Sequence, residues 1–285
     1  QNMQPGERRR ACRTAMSTAS GLGLAVDDFV VLSDSNRVVV RLTPCDVVAR
    51  ITPTDYRVFA AAVGTEGELE LVRRLTESGG PVAALEPRVE PRVYSDDGFD
   101  LTSMTYHEPA TLRLPPADYT AALQRLHVAM RPLDVDAPHF TDRAADVERW
   151  VARPDVTPDL ADEDRELFID VIGNLKKSIV ARRFEEQLLH GEPHPWNILD
   201  TTNGLLFIDL ENCVRGPVEF DLGWAPTEVS AHYPDVDHDL VNECRGLVLT
   251  IVAAHAWRHG DERPGKDARA GLLGIIRNGE PWPAL

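Results

Sequence analysis

Over the first hundred residues the apolar positions fall in short bursts. Further along the chain they recur at intervals of three and four. Residues 29–32 and 38–42 are apolar runs separated by Ser33-Asp34-Ser35-Asn36, whose short polar side chains hydrogen-bond nearby backbone and so favour turns. Residues 47–51 follow Pro44 as a third strand. Residues 67–78 predict a helix: Leu69, Val72 and Leu75 share one side, and Gly79-Gly80-Pro81 stops it. Residues 92–94 and 101–106 then predict a hairpin around Ser95-Asp96-Asp97-Gly98. The first hundred residues therefore read largely as β-structure.

From residue 117 onward the period lengthens. Tyr119, Leu123, Leu126 and Met130 follow helix spacing. Residues 162–183 carry Phe168, Ile172, Leu175 and Ile179 at helical intervals, with acids in the first turn and bases in the last, as the helix dipole favours. Residues 241–257 predict another long helix. One segment, HGEPHPWNILDTTNGLLFIDLE at 190–211, interrupts this pattern. Two apolar runs flank Asn203-Gly204, a pair that suits the positive φ values of a type I′ turn. Such a hairpin folds Asp209, at the end of its second strand, back towards Asn197, just before its first. Glu192, Asn197 and Asp209 then converge at one end of a rigid ribbon. Oxygen ligands of that kind suit Mg²⁺, which prefers a few protein oxygens beside phosphate and water.

The chain has 285 residues and 43% hydrophobic content, enough for a sizeable core. Length and the change of period predict two domains, 1–108 rich in strands and 109–285 rich in helices, with the boundary near Pro109. The formal charge of −16 argues against a nucleic-acid partner and against an anionic membrane surface. It is compatible with a cationic substrate, and equally with solubility alone. The apolar stretch at 246–257 contains Thr250 and His255 and is too short to span a bilayer. The first fourteen residues carry several arginines and no apolar h-region, so no signal peptide is expected. Cys12, Cys45, Cys213 and Cys244 show no zinc-like spacing, and scattered cysteines fit a reducing cytoplasm.

The order H-G-[acid]-x-H-P-x-N, hairpin, I-D-[L]-E, followed by GPVEFDLGW at 216–224, resembles the aminoglycoside phosphotransferase-like family, the small-molecule branch of the eukaryotic-like kinases. The resemblance implies an α+β bilobal protein-kinase-like fold, with a β-rich N-lobe and a mostly α-helical C-lobe. It places Glu192 as catalytic base, His190 as the brace of its loop, Asn197 and Asp209 as Mg²⁺ ligands, and Asp221-Leu222 at a helix start that ties the loop down. Arg50, in VVARI, stands where the family has the β3 lysine, with Glu68 as its partner. Ser33 and Ser35 lie in the loop that covers phosphates, and backbone groups of Thr105, Tyr106 and His107 lie at the adenine hinge. Three departures stand out: Glu192 replaces the commoner Asp, Arg50 replaces Lys, and the 33–36 turn has no glycine. Arginine offers a planar fork suited to phosphate; a solvent-facing strand arginine is the other reading. Glu211 reads either as a further metal ligand or as a surface acid. The acidic clusters at 155–166 and 235–239 read either as amine-binding or as solvated helix ends.

The expectation is an ATP- or GTP-dependent, Mg²⁺-dependent phosphotransferase that acts on a hydroxyl of a small molecule, such as an aminoglycoside, another hydroxylated antibiotic or a metabolite. No activation-loop-like segment separates Asp209 from Asp221, which disfavours a protein substrate. The rival is a nucleotide- or ligand-binding pseudokinase, motivated by Glu192 and Arg50.

Overall fold

In the computed structural model, residues 3–34, 37–55, 62–110, 114–260 and 265–283 are described. Helix α1 (Pro5–Gly21) leads into strands β1 (Val26–Asp34), β2 (Val38–Pro44) and β3 (Val47–Pro53). Helix α2 (Gly64–Glu77) and strands β4 (Tyr94–Asp96) and β5 (Phe99–Thr105) follow. The five strands form one antiparallel sheet in the order β1-β2-β3-β5-β4. Successive side chains of a strand point to opposite faces. Val38, Val40, Leu42, Val47, Ala49 and Ile51 accordingly share one face and are buried. Helix α1 covers that face with Ala11, Cys12, Ala15 and Ala19. This helix departs from the expectation of a largely β first hundred residues. Its buried stripe is built of alanine and cysteine between arginines and serines, which is too weakly apolar to stand out as a helical period.

Val48 and Arg50 of β3 point to the other face, towards α2. Helix α2 begins three residues before the expected start and buries Leu69, Leu71, Val72 and Leu75 together with one charged residue, Glu68. The β4–β5 turn has positive φ at both Asp97 (47°) and Gly98 (79°), the requirement of a type I′ turn.

The remaining elements are α3 (Pro116–Met130), α4 (Phe140–Val151), α5 (Asp162–Ala181), β6 (Gln187–Leu189), β7 (Ile198–Thr201), β8 (Gly204–Phe207), β9 (Val214–Gly216), α6 (Val218–Trp224), α7 (Thr227–His232), α8 (His238–His255) and α9 (Lys266–Asn278). Strands β7 and β8 form the expected hairpin, with Thr201 opposite Gly204. Its turn is not type I′: Gly204 alone takes positive φ (107°), and Asn203 does not. Thr201 Oγ1 closes the turn instead, accepting from Asn203 N at 3.2 Å and donating to Gly204 O at 2.7 Å.

Two further cores lie beyond the sheet. One packs α2 against α3 and the hairpin through Leu71, Leu75, Leu123, Phe207 and Leu222. The other joins α4, α5, α6, α8 and α9 through Phe140, Phe168, Phe220, Leu247 and Ile251. Much of the acidity expected around residues 155–166 and 235–239 serves these helices. Asp237 caps α8 by accepting from Asp239 N and Leu240 N, and Asp164 holds Arg277 of α9 at 2.6 and 2.8 Å. No helix among the described residues is long and apolar enough to cross a membrane.

The packing of α1 makes a direct prediction. Ala15→Leu inserts three carbons where α1 meets the sheet and should lower stability by about 1–3 kcal/mol, the usual cost of overpacking. Arg13→Leu, on the exposed side of the same helix, should change it by less than about 0.5 kcal/mol. Urea unfolding of the two variants measures the difference, and equal effects would show that α1 does not pack as described.

Candidate active site

The segment between β6 and β7 is held by a single buried carboxylate. Asp221, in the short helix α6, is 0% exposed. Its Oδ2 accepts from His190 N at 3.0 Å and its Oδ1 from Gly191 N at 2.8 Å. His127 of α3 adds a third contact, Nε2 to Asp221 Oδ2 at 3.0 Å, and its Nδ1 accepts from the Tyr233 hydroxyl at 2.7 Å. Gly191 has φ of 87°, and a Cβ there would lie 2.3 Å from Asn212 O, so only glycine fits. His190 is fully buried, and its Nε2 bonds Ile208 O at 2.9 Å while Nδ1 accepts from Glu192 N at 3.3 Å. Burial pushes its pKa down, so the ring is a neutral brace. The resemblance gives it that role.

Glu192 emerges from this brace. Its Oε2 accepts from Asn212 Nδ2 at 3.2 Å and its Oε1 from Arg143 Nη1 at 3.4 Å. Arg143 comes from α4, is 0% exposed, and also donates to Gly191 O at 2.9 Å and to Asn212 O. Burial raises the Glu192 pKa, with Arg143 opposing it. A carboxylate raised in this way is the better proton acceptor. Sequence reasoning identified neither Arg143 nor Asn212, because the helix carrying Arg143 is distant in sequence and its signal is an ordinary arginine.

Asn197 is buried at the foot of the hairpin. Its Nδ2 donates to Glu192 O at 3.0 Å, which leaves Oδ1 as the unengaged atom among the described residues. Asn197 O accepts from Ile208 N at 3.0 Å, so Asp209 lies one residue beyond the position opposite Asn197. Asp209 is left-handed, with φ of 67°, an uncommon conformation outside glycine and a frequent mark of a functional site.

Asp209 sits in a charged cluster. Arg50 Nη1 bonds Glu68 Oε1 at 2.6 Å, and Arg50 Nη2 bonds Asp209 Oδ1 at 3.3 Å. Of the two readings of Arg50, the structure has the inward one. Glu68, 1% exposed, also accepts from Leu210 N at 3.0 Å and so ties α2 to the segment after Asp209. A second arginine, Arg37, reaches Asp209 Oδ1 at 3.2 Å and pairs with Glu211. Burial pushes the Asp209 pKa up, but Arg37 and Arg50 outweigh it and hold it below the usual carboxylate value. Burial raises Glu211 despite Arg37. One oxygen from each of Glu68, Asp209 and Glu211 lies within 4.8 Å of the others, and Glu68 Oε2 is buried with no hydrogen-bond partner among the described residues. These hard oxygens, with the Asn197 amide oxygen nearby in the chain, match the donor set of Mg²⁺.

The nucleotide positions fare unevenly. Ser33 ends up exposed on β1, whose neighbour Asp34 pairs with Arg8; Ser35 lies outside the described residues. Thr105 N already donates to Ala84 O at 2.9 Å and Thr105 Oγ1 to Leu85 O at 3.2 Å, so its amide does not serve a base at the hinge. The ladder and the loop at 84–86 satisfy that strand end, which sequence could not show. Tyr106 carries the Arg41 guanidinium over its ring at 3.9 Å. No hydrogen bond among the described residues engages the backbone of Tyr106 or His107. His107 Nε2 is buried without a partner among the described residues, and burial lowers that ring's pKa.

Comparison with known proteins gives a consistent picture. The profile of the phosphotransferase enzyme family matches residues 28–246. Curated proteins give no significant match. Among solved structures, amicoumacin kinase, in complex with AMP-PNP, Ca²⁺ and Ami, is 13% identical, covers 98% of this chain and 97% of its own, and superposes with a TM-score of 0.67. Choline kinase LicA from Streptococcus pneumoniae is 15% identical over 94% of this chain and 98% of its own, with a TM-score of 0.67. The GDP and kanamycin complex of APH(2″)-IIIa is 15% identical over 94% and 98%, with a TM-score of 0.66. At these identities the likeness is one of fold: the mixed sheet-and-helix, kinase-like fold of small-molecule phosphotransferases.

The role of Asp221 is testable through stability. Asp221→Ala leaves two buried backbone N–H groups without an acceptor, each worth about 1–3 kcal/mol. Urea unfolding should show a loss of at least about 2 kcal/mol on that basis. A loss below about 0.5 kcal/mol, the range of ordinary surface changes, would mean that the loop does not hang on this carboxylate.

Proposed function

The chain belongs to the phosphotransferase enzyme family and is a small-molecule kinase; from that premise we propose that it transfers the γ-phosphoryl group of ATP or GTP, with Mg²⁺, to a hydroxyl of a small molecule. The observation that carries this reading is the meeting of two sets of groups at one end of the β7–β8 hairpin. The Glu192 carboxylate approaches from the loop braced on Asp221, and the Arg50–Glu68–Asp209 chain approaches from the sheet.

Each group has a task that its surroundings support. Glu192 accepts the proton of the acceptor hydroxyl on its carboxylate, which Asn212 and Arg143 hold in one orientation. Its extra methylene relative to Asp is taken up by that pull towards Asn212 and Arg143. Arg50, fixed by Glu68, presents its guanidinium to the nucleotide phosphates. Asn197, Asp209 and the neighbouring carboxylates would hold Mg²⁺, which would supply neutralisation of the charge on the nucleotide phosphates. The backbone of Tyr106 and His107, unengaged by other described residues, faces the base. General-base catalysis contributes about 10²–10⁴-fold, so most of the acceleration comes from positioning and charge neutralisation.

The acceptor class is an amino-bearing alcohol. The net charge of −16 draws cations towards the protein. Structures of similar fold include a kanamycin complex and a choline kinase, which point to the same chemistry. A phosphate-transfer screen over amino alcohols, aminoglycosides and uncharged polyols, with ATP and GTP in parallel, tests the reading. Nucleotide turnover should rise when the right acceptor is added. Nucleotide that binds without any acceptor-dependent turnover would favour a binding protein instead.

Two variants sharpen the test. Glu192→Gln keeps the shape but takes no proton, and single-turnover transfer should fall by roughly 10²-fold or more with nucleotide affinity retained. Transfer at the parent rate would remove Glu192 from the role of base. Asp209→Ala should abolish phosphoryl transfer while circular dichroism stays native; a variant that still turns over at the parent rate would overturn the metal assignment.

A further inference from the structure

Arg37 is the first described residue after the β1–β2 turn and the last before β2. Val39, two positions on, is the partner of Arg50 in the β2–β3 ladder. Side chains alternate along a strand, so Arg37 and Arg50 project from the same face of the sheet. The contacts agree: both guanidiniums bond the same atom, Asp209 Oδ1, at 3.2 and 3.3 Å. Arg37 also pairs with Glu211 and is only 12% exposed. It is therefore not a solvated surface cation but one held across two carboxylates.

Those carboxylates are the ones a divalent ion needs. Glu68, Asp209 and Glu211 bring their oxygens within 4.8 Å of one another, and the buried Glu68 Oε2 has no partner among the described residues. A cation is already present among them, and it is Arg37. A guanidinium and a metal ion cannot both take Asp209 Oδ1 at bonding distance, since like charges that close repel strongly. Arg50 is anchored elsewhere, by its 2.6 Å bond to the buried Glu68. Arg50 would give up only its longer contact to Asp209 and keep Glu68 Oε1, which leaves Glu68 Oε2 for a metal, whereas the charged partners of Arg37 among the described residues are Asp209 and Glu211, so Arg37 is the group that yields. The four residues that precede it in the chain, Ser33-Asp34-Ser35-Asn36, include no glycine to bring backbone amides close to phosphate. A long side-chain cation beside them offers positive charge instead.

We propose that Arg37 is a second phosphate-binding residue for the nucleoside triphosphate: in the nucleotide-free protein it bridges Asp209 and Glu211 in the place of the metal, and it transfers to the phosphates as the Mg²⁺-nucleotide enters. The proposal rests on the kinase reading above. One cation thus serves two anionic partners in turn. It keeps the carboxylates paired while the site is empty, and it exchanges them for phosphate oxygens, to which an arginine fork binds bidentately.

Two binding measurements on the full chain test this, neither of which depends on turnover. The first is calorimetric titration with Mg²⁺·AMP-PNP and with its guanine counterpart. Arg37→Gln should weaken binding by about tenfold or more, the size of one charge-assisted contact. The second is titration of the nucleotide-free protein with Mn²⁺ alone, followed by the electron paramagnetic resonance of the free ion. Here Arg37→Gln should tighten binding, because the carboxylates have lost their internal cation. Opposite signs in the two titrations are the signature of the exchange, since a merely structural arginine would weaken both. Parent-like nucleotide affinity in Arg37→Gln, or Mn²⁺ binding that is unchanged or weaker, would overturn the proposal. Should that variant fail to fold, Arg37→Lys takes its place. Lysine keeps the charge but not the fork, so it should bind nucleotide more weakly than the parent, and equal binding would again overturn the proposal. A parent chain that binds neither nucleotide would overturn the kinase reading itself, and this proposal with it.

Discussion

Three donors meet at the Asp221 carboxylate: two consecutive backbone amides of the loop between β6 and β7 and the ring of His127. A carboxylate that is fully buried must be matched by donors, or it destabilises the fold by several kcal/mol. That requirement runs in both directions. The loop satisfies the carboxylate, and the carboxylate allows the loop only one path. Gly191 then turns at a φ that a side chain could not adopt, against Asn212 O, and Glu192 leaves the turn at a fixed angle. The position of the site thus follows from the burial of α6 in the helical core, through Phe220 and Leu222, rather than from any interaction with a ligand.

The opposite wall depends on a different balance. Three carboxylates and two arginines gather where the sheet meets the segment after β8. Glu68 is the pivot, because one of its oxygens receives both Arg50 and the amide of Leu210. This joins α2 to the end of the hairpin by a charged contact instead of an apolar one. Apolar packing would hold the two parts as firmly, but it would offer no charged groups at this junction.

Glu192 depends on a second element as well. Its carboxylate reaches Asn212 and the buried Arg143. Arg143 in turn holds the carbonyls of Gly191 and Asn212, so helix α4 supports the loop from behind.

Much of this was legible in the chain alone. The strands of the sheet, helices α3 and α5 and the β7–β8 hairpin announce themselves, because each buries a face whose period is visible in the apolar residues. The HGEPHPWN and IDLE segments show that Glu192, Asn197 and Asp209 belong together, because they are close in sequence and joined by one short ribbon. The pairing of Arg50 with Glu68 was legible too, at the level of which residues belong together. What the sequence left open was decided by distance along the chain. Helix α1 hides because alanines make a weak stripe until a sheet is laid against them. The turn at residues 201–204 takes its form from the hydroxyl of Thr201, which competes with the Asn-Gly preference. Thr105 loses its amide to Ala84, a loop residue some twenty positions earlier. Arg37 and Glu211 are 174 residues apart, and Arg143 and Glu192 are 49 apart. Local periodicity carries no record of such pairs: they form only when burial forces a charge to find its partner, and only the packed tertiary structure determines which partner is within reach.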